Sequence, residues 1–212
     1  MKIHLKFLVI LLLCTLGSGT LVQQSFAASE TEMHTTKAVE VKTVMRKLWE
    51  EHITYTRNYI ISALADLSDV DAIAQRLLRN QDDIGDAIKP YYGTDAGNQL
   101  SNLLRDHIMI ATEVVKAAKT GNNDQLTKAQ SKWSTNGKDI AAFLSGANPN
   151  WPIKDLENML QAHLDLTTGE VVARLEQDWV KDIKSYDEGH EHMLMFADML
   201  TDGIAKQFPE KF

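Results

Sequence analysis

The sequence predicts an all-α fold, an up-and-down antiparallel bundle of four long helices and two shorter ones, and three observations carry that expectation. Apolar residues recur three and four apart through almost the whole chain, most cleanly at Leu100, Leu103, His107, Ile110, Val114 and Ala117. No stretch of β-branched alternation marks a strand. The four prolines, Pro90, Pro149, Pro152 and Pro209, are expected between periodic segments or at an end, where they interrupt no helix.

Taken in order, the first helix is expected over about 37–67, with Val41, Met45, Leu48, His52, Tyr55 and Tyr59 on one stripe. Ser68-x-x-Asp71 reads as a capping box opening a shorter helix that Pro90 and Gly93 end. The third helix spans about 95–120, until Gly121-Asn122-Asn123 breaks it. Leu126, Ala129, Trp133, Ile140 and Leu144 mark a fourth, and a rigid connector follows, with Asn150 placed to cap the next helix. Leu156, Leu160, His163 and Thr167 share a face of the fifth. Tyr186, His190, Met193, Ala197, Leu200 and Ile204 form the seam of the last. The turn between these two is placed near Gln177 rather than at Ser185, where Ser185-x-x-Glu188 mimics a cap. No internal repeat is obvious.

The amino terminus reads as a targeting segment. Lys2 and Lys6 precede the apolar run Phe7 to Leu13, and Ser25-Phe26-Ala27 supplies a small-x-small cleavage pattern. Residues 1–27 are therefore expected to be a signal peptide, 28–36 a flexible polar leader and 37–212 a single helical-bundle domain. The expected location is secreted, or periplasmic in a Gram-negative cell. The only cysteine, Cys14, leaves with the signal, which removes disulfides and thiolate chemistry from the exported protein. Loss of Lys2 and Lys6 takes the net charge from −7 to −9, an acidic balance that argues against nucleic acid as a partner. No apolar run in the mature chain reaches the roughly 20 residues of a stable membrane span.

Histidine carries the functional signal. His52, His107, His163 and His190 each fall near the midpoint of a different expected helix, on its apolar stripe. Midpoints of antiparallel helices meet at one level, so the four imidazoles are expected in one buried layer. Helical phase puts Thr56 on the face of His52, Thr167 and Glu170 on that of His163, and Tyr186 and Asp187 on that of His190. These five are the expected supports, and His192 points away. Neutral imidazoles suit Zn, Cu, Ni or Fe, with a carboxylate behind them to fix the tautomer. The same layer could instead supply an acid or base to an enzyme, or form a purely structural polar network with Asn80 and Asn58.

Familiar catalytic templates are missing. Asp187-x-x-His190 is a single altered copy of the repeated Glu-x-x-His of di-iron bundles. No His-Glu-x-x-His, Cys-x-x-Cys-His, serine elbow or Gly-rich phosphate loop occurs. Arg57, within a mostly apolar stretch, is expected to pair with Asp83 or Glu113.

Several strings carry a resemblance. They are Leu48-Trp49-Glu50-Glu51-His52 with Thr56-Arg57-Asn58-Tyr59, Leu77 through Gly85, His163-Leu164-x-Leu166-Thr167-Thr168, and the segment from Met195 to Pro209. Through these the chain resembles a family of small exported all-helical proteins of spore-forming Gram-positive bacteria, functionally uncharacterised. The resemblance implies export and a helical fold, and carries no catalytic residue. The expected function is binding of an unidentified ligand or protein partner, with a transition-metal ion at the histidine layer as the specific candidate and enzymatic or structural use of the layer as alternatives.

Overall fold

The computed structural model describes the backbone from Ser18 onward and the side chains from Thr36. Six helices follow one another: α1 (Ser18–Leu64), α2 (Val70–Tyr92), α3 (Thr94–Thr120), α4 (Asn123–Ala147), α5 (Ile153–Leu175) and α6 (Trp179–Gln207), with a closing 3-10 turn at Pro209–Lys211. The described residues contain no strand, and none of their helices is long and apolar enough to cross a membrane.

Short turns force each helix antiparallel to the one before it. Each packs on its sequence neighbours, and α6 returns to α1, so the six close into a ring. The two shorter helices are α2 and α5, 23 residues each, and the six pair off as three hairpins. α1, α3 and α5 run parallel to one another and meet inside the ring, α1 touching α3 and α3 touching α5.

Local chemistry explains most boundaries. Gly121 ends α3 in a left-handed conformation, φ 65°, and its N–H returns to Ala117 and Ala118. Asn122 then caps α4 by accepting from the Gln125 N–H. The last turn falls where the sequence placed it: Gln177 is left-handed, φ 60°, and Asp178 caps α6 by accepting from the Lys181 N–H.

Four local expectations are corrected. α1 does not begin near Lys37, since its backbone continues without a break to Ser18, through the expected leader, where no proline or later glycine stops it. Residues 1–17, most of the expected signal peptide, lie outside the described residues. Pro90 sits inside α2, whose last turn carries on to Tyr92. The Ser68-x-x-Asp71 cap does not form, because α2 starts at Val70 behind Asp69 with no side-chain cap. Asn150 does not cap α5: its backbone and side-chain amides both donate to Asn148 Oδ1.

A layer of buried polar side chains divides the core along its length. Below it, toward the α2–α3 turn, lies the main apolar cluster around Met45, Trp49, Ile84, Leu104, Phe196 and Leu200. Above it the apolar residues split into two smaller groups. One contains Ile110, Val114, Trp133 and Leu164, and the other Ile60, Val115 and Val171.

The main cluster is closely fitted. A Cβ on Gly203 would stand 1.9 Å from Trp151 Nε1, and Trp151 is itself buried and donates to the Met199 carbonyl. Gly203→Ala is expected to lower unfolding free energy by about 1–3 kcal/mol through overpacking, measured by urea denaturation. An unchanged midpoint would show that Trp151 can move aside at no cost.

Candidate functional site

Three of the four expected histidines meet. His52 on α1, His107 on α3 and His163 on α5 are 2–3% exposed. The His163 ring lies between the other two, its centroid 5.6 Å from that of His52 and 5.8 Å from that of His107. They come from the three parallel helices that face the ring's interior, and that is why they converge.

Each of the first two is pinned by an amide from the second helix of its own hairpin. His107 Nδ1 is 2.7 Å from Asn136 Oδ1, while Asn136 Nδ2 donates to the Leu103 carbonyl at 3.0 Å. Trp133 Nε1 donates to His107 Nε2 at 3.1 Å. Both His107 nitrogens are thus engaged, and the proton belongs on Nδ1. His52 Nδ1 meets Gln81 Oε1 at 3.3 Å. Gln81 Nε2 donates to the Leu77 carbonyl and to Asn80 Oδ1, and Asn80 Nδ2 donates to the Leu48 carbonyl.

These contacts repeat through the three hairpins. The histidine and its amide stand 29 residues apart in both cases, His52 to Gln81 and His107 to Asn136. The carbonyl that receives the second-helix amide is the one four residues before the histidine, Leu48 and Leu103. The third hairpin has His192 at the matching place, and its Nε2 contacts the matching carbonyl, that of Met159, at 2.7 Å. There the pattern stops. His192 gives nothing to His163, whose Nδ1 is sealed from solvent without a hydrogen-bond partner. A pseudo-threefold repeat underlies the fold, broken at one nitrogen.

His163 lines a cavity of about 20 Å³. The walls come in tiers, one residue from each parallel helix: His52, His107 and His163, then Thr56, Ala111 and Thr167, then Ile60, Val115 and Val171. Thr56 Oγ1 is also buried without a partner, whereas Thr167 Oγ1 donates to the His163 carbonyl. The other two sealed atoms without partners, Trp49 Nε1 and Arg76 Nη1, belong to residues outside these walls.

Burial holds all three imidazoles neutral. It pulls His52 down to about 3 and His107 down to about 4, and takes His163 well below 6.5, with the neighbouring imidazoles as the lesser cause for His52 and His163. Groups so far from neutrality are poorly matched to acid–base catalysis near pH 7.

The remaining expected residues lie elsewhere. His190 is one position off the buried face of α6, which runs through Asp182, Gly189, Met193 and Phe196. Its ring is tilted against that of Tyr186, with centroids 6.1 Å apart, its Nε2 is 3.6 Å from Glu50, and its side chain is 27% exposed. At about 100° per residue, that one-residue offset turns it from the interior to the α1–α6 flank. Asp187 is exposed. Glu170 turns to Arg57 rather than to His163. Of the expected supports, Thr56 and Thr167 border the three buried histidines, and Tyr186 lies beside His190 as expected. Gln81, Asn136 and Trp133 were missed, although Gln81 shares the stripe of Leu77, Ile84 and Ile88 and Asn136 that of Trp133 and Ile140. Among the described residues, no group of three or more His, Cys, Asp or Glu side chains is placed to hold a metal ion.

Arg57 also takes partners other than Asp83 and Glu113. It donates through Nη1 to Glu170 at 2.8 Å and to Asp182, and through Nη2 to Asp182 at 2.9 Å. Arg174 reaches Asp182 as well, at 2.8 Å. Burial raises the Glu170 carboxyl, opposed by Arg57. The cluster ties α1, α5 and α6 together above the layer.

No family model, curated protein or solved structure matches the chain.

The neutral layer makes the fold acid-sensitive. An unfolded histidine takes up a proton near 6.5, while native His107 resists it down to about 4 and His52 to about 3. Stability is therefore full above 6.5 and falls as pH drops below it, by on the order of 3 kcal/mol for His107 alone by pH 4. Glu170, raised in the native state, acts in the opposite sense. Urea unfolding from pH 7.5 to 4.5 should show this decline, and a flat profile down to pH 5 contradicts it.

Proposed function

We propose that the protein is an exported binding module rather than an enzyme, and that its ligand enters the cavity between α1, α3 and α5. One observation carries this reading: His163 and Thr56 line the same cavity, and among the described residues no group completes the hydrogen bonding of the buried His163 Nδ1 and Thr56 Oγ1. A sealed polar atom without a partner costs about 1–3 kcal/mol. The chain satisfies Nδ1 of the equivalent histidines in its other two hairpins, and of the four sealed atoms without partners among the described residues two belong to residues of this one cavity. Breaks of this kind in an otherwise consistent core mark functional positions.

A transition metal at the layer is less well supported. It needs three imidazole donors, and His107 has none to give while Asn136 and Trp133 hold it. Zn(II) or Ni(II) is therefore expected to leave the melting temperature of the chain unchanged. The competing reading is a structural layer finished by an ordered water, for which about 20 Å³ is the right size.

Thr56→Val separates the two. If the partner of Thr56 is a ligand that is lost on purification, the change removes an unpartnered hydroxyl and raises unfolding free energy by about 1 kcal/mol. If a resident water completes the layer, the same change removes a hydrogen bond and lowers it by a similar amount. Destabilised Thr56→Val, with native mass spectrometry showing only the bare chain, would overturn the binding reading.

A further inference from the structure

The outer groove between α3 and α4 carries an ordered charge pattern. Asp106 and Asp139 line its lower end, beside Met109. Lys116 and Lys128 line its upper end, beside Ala117 and Ala129. Glu113 and Lys132 sit between the two ends, joined at 3.1 Å. Among the described residues, Asp106, Lys116, Lys128 and Asp139 have no ion-pair partner.

The spacing is symmetric. Asp106 and Lys116 are ten residues apart on α3, and Lys128 and Asp139 eleven apart on α4, about 15–17 Å in both cases at about 1.5 Å per residue. The helices are antiparallel and the Glu113–Lys132 contact fixes their register, so both acids fall at one level and both lysines at another. The midpoint lies at position 111 on α3 and 133–134 on α4.

A two-fold axis crossing the groove at that midpoint, at right angles to the helices, exchanges the two levels. It sets α3 against α3 of a second copy, running the opposite way, with Asp106 over Lys116 and Asp139 over Lys128 of that copy. An axis parallel to the helices would instead set acid on acid and lysine on lysine, which repel. The pattern therefore selects one arrangement. Met109, 51% exposed, stands within about 3 Å of the axis level and supplies an apolar centre. The chain as a whole is acidic, 29 Asp and Glu against 22 Lys and Arg, but the groove walls hold three of each, so self-repulsion is least on this face.

We propose that two copies of the chain pair through this groove, antiparallel and two-fold symmetric. Each kind of ion pair then forms twice, as an isologous interface requires. Exposed ion pairs are individually weak, so the dimer assembles at high protein concentration and loosens with salt. The pairing uses no residue of the histidine cavity, and its test is independent of the binding reading.

Sedimentation equilibrium of the full chain at neutral pH is expected to show monomer and dimer at about 50 mM salt. Association should weaken at least about 10-fold at about 500 mM, where the screening length falls to about 4 Å. Asp106→Lys with Asp139→Lys makes both ends basic, and Lys116→Glu with Lys128→Glu makes both acidic. Each double variant alone should associate at least about 10-fold more weakly. Mixed in equal amounts the two should pair. All four changes in one chain should restore the homodimer, because the inverted pattern is again self-complementary and the net charge is unchanged. Helicity by circular dichroism confirms each fold.

A chain that stays monomeric up to about millimolar concentration overturns the pairing. If such a chain binds a synthetic peptide of residues 99–120, the occupant is a lone helix and the second copy is overturned. Dimers that neither double variant weakens place the contact on another face. Double variants that fail to pair with each other overturn the charge matching.

Discussion

The bundle depends on polar pairs that cross from one helix of a hairpin to the other at mid-height. Asn136 illustrates the constraint: its amide takes the His107 proton on one side and returns its own to the Leu103 carbonyl on the other. Sliding α4 along α3 by one turn would leave a buried imidazole and a buried amide unsatisfied together, a larger loss than any single apolar contact in the layer. Gln81 and Asn80 divide the same work in the first hairpin. Apolar seams tolerate sliding and these pairs do not, so they set the height at which the helices meet.

With the register fixed, the rest follows from geometry. Alternate helices of a closed up-and-down ring are parallel, and here α1, α3 and α5 turn their stripes inward together. Their histidines therefore stack at one level, and the residues four and eight positions further on form two more tiers above them. The lower half of the ring fills with large aromatic and aliphatic side chains such as Trp49, Trp151 and Phe196. The upper half is lined by Thr, Ala, Ile and Val together with Tyr59 and Trp133, and a cavity of about 20 Å³ remains there. Arg57, Glu170, Asp182 and Arg174 join α1, α5 and α6 at this looser end, with polar contacts in place of a merged apolar core.

The third hairpin differs from the others by chemistry rather than by backbone. Its second-helix polar residue is an imidazole, His192, spent on the Met159 carbonyl. An amide has an oxygen and a nitrogen on one carbon and can serve both partners, as Asn136 does. A single imidazole nitrogen serves one. The substitution of ring for amide is enough to leave His163 open.

The sequence by itself determined the helical class, the ends of most helices, the turn at Gln177 and the heights of the histidines, because helical periodicity and caps are local and survive without tertiary context. It named His52, His107, His163, Thr56 and Thr167 correctly as neighbours of the layer, since each stands on an apolar stripe. It could not place His190, one residue from the true seam, because a stripe in sequence has a width of about one residue on either side and only packing chooses its centre. Nor could it show the threefold repeat, which lies in 29-residue spacings between side chains of different kinds, Gln, Asn and His. Closure of the ring decided which helices are parallel and inward, and hence that three histidines meet and the fourth faces Glu50. That choice rests on contacts between residues far apart in the chain, where no local propensity reaches.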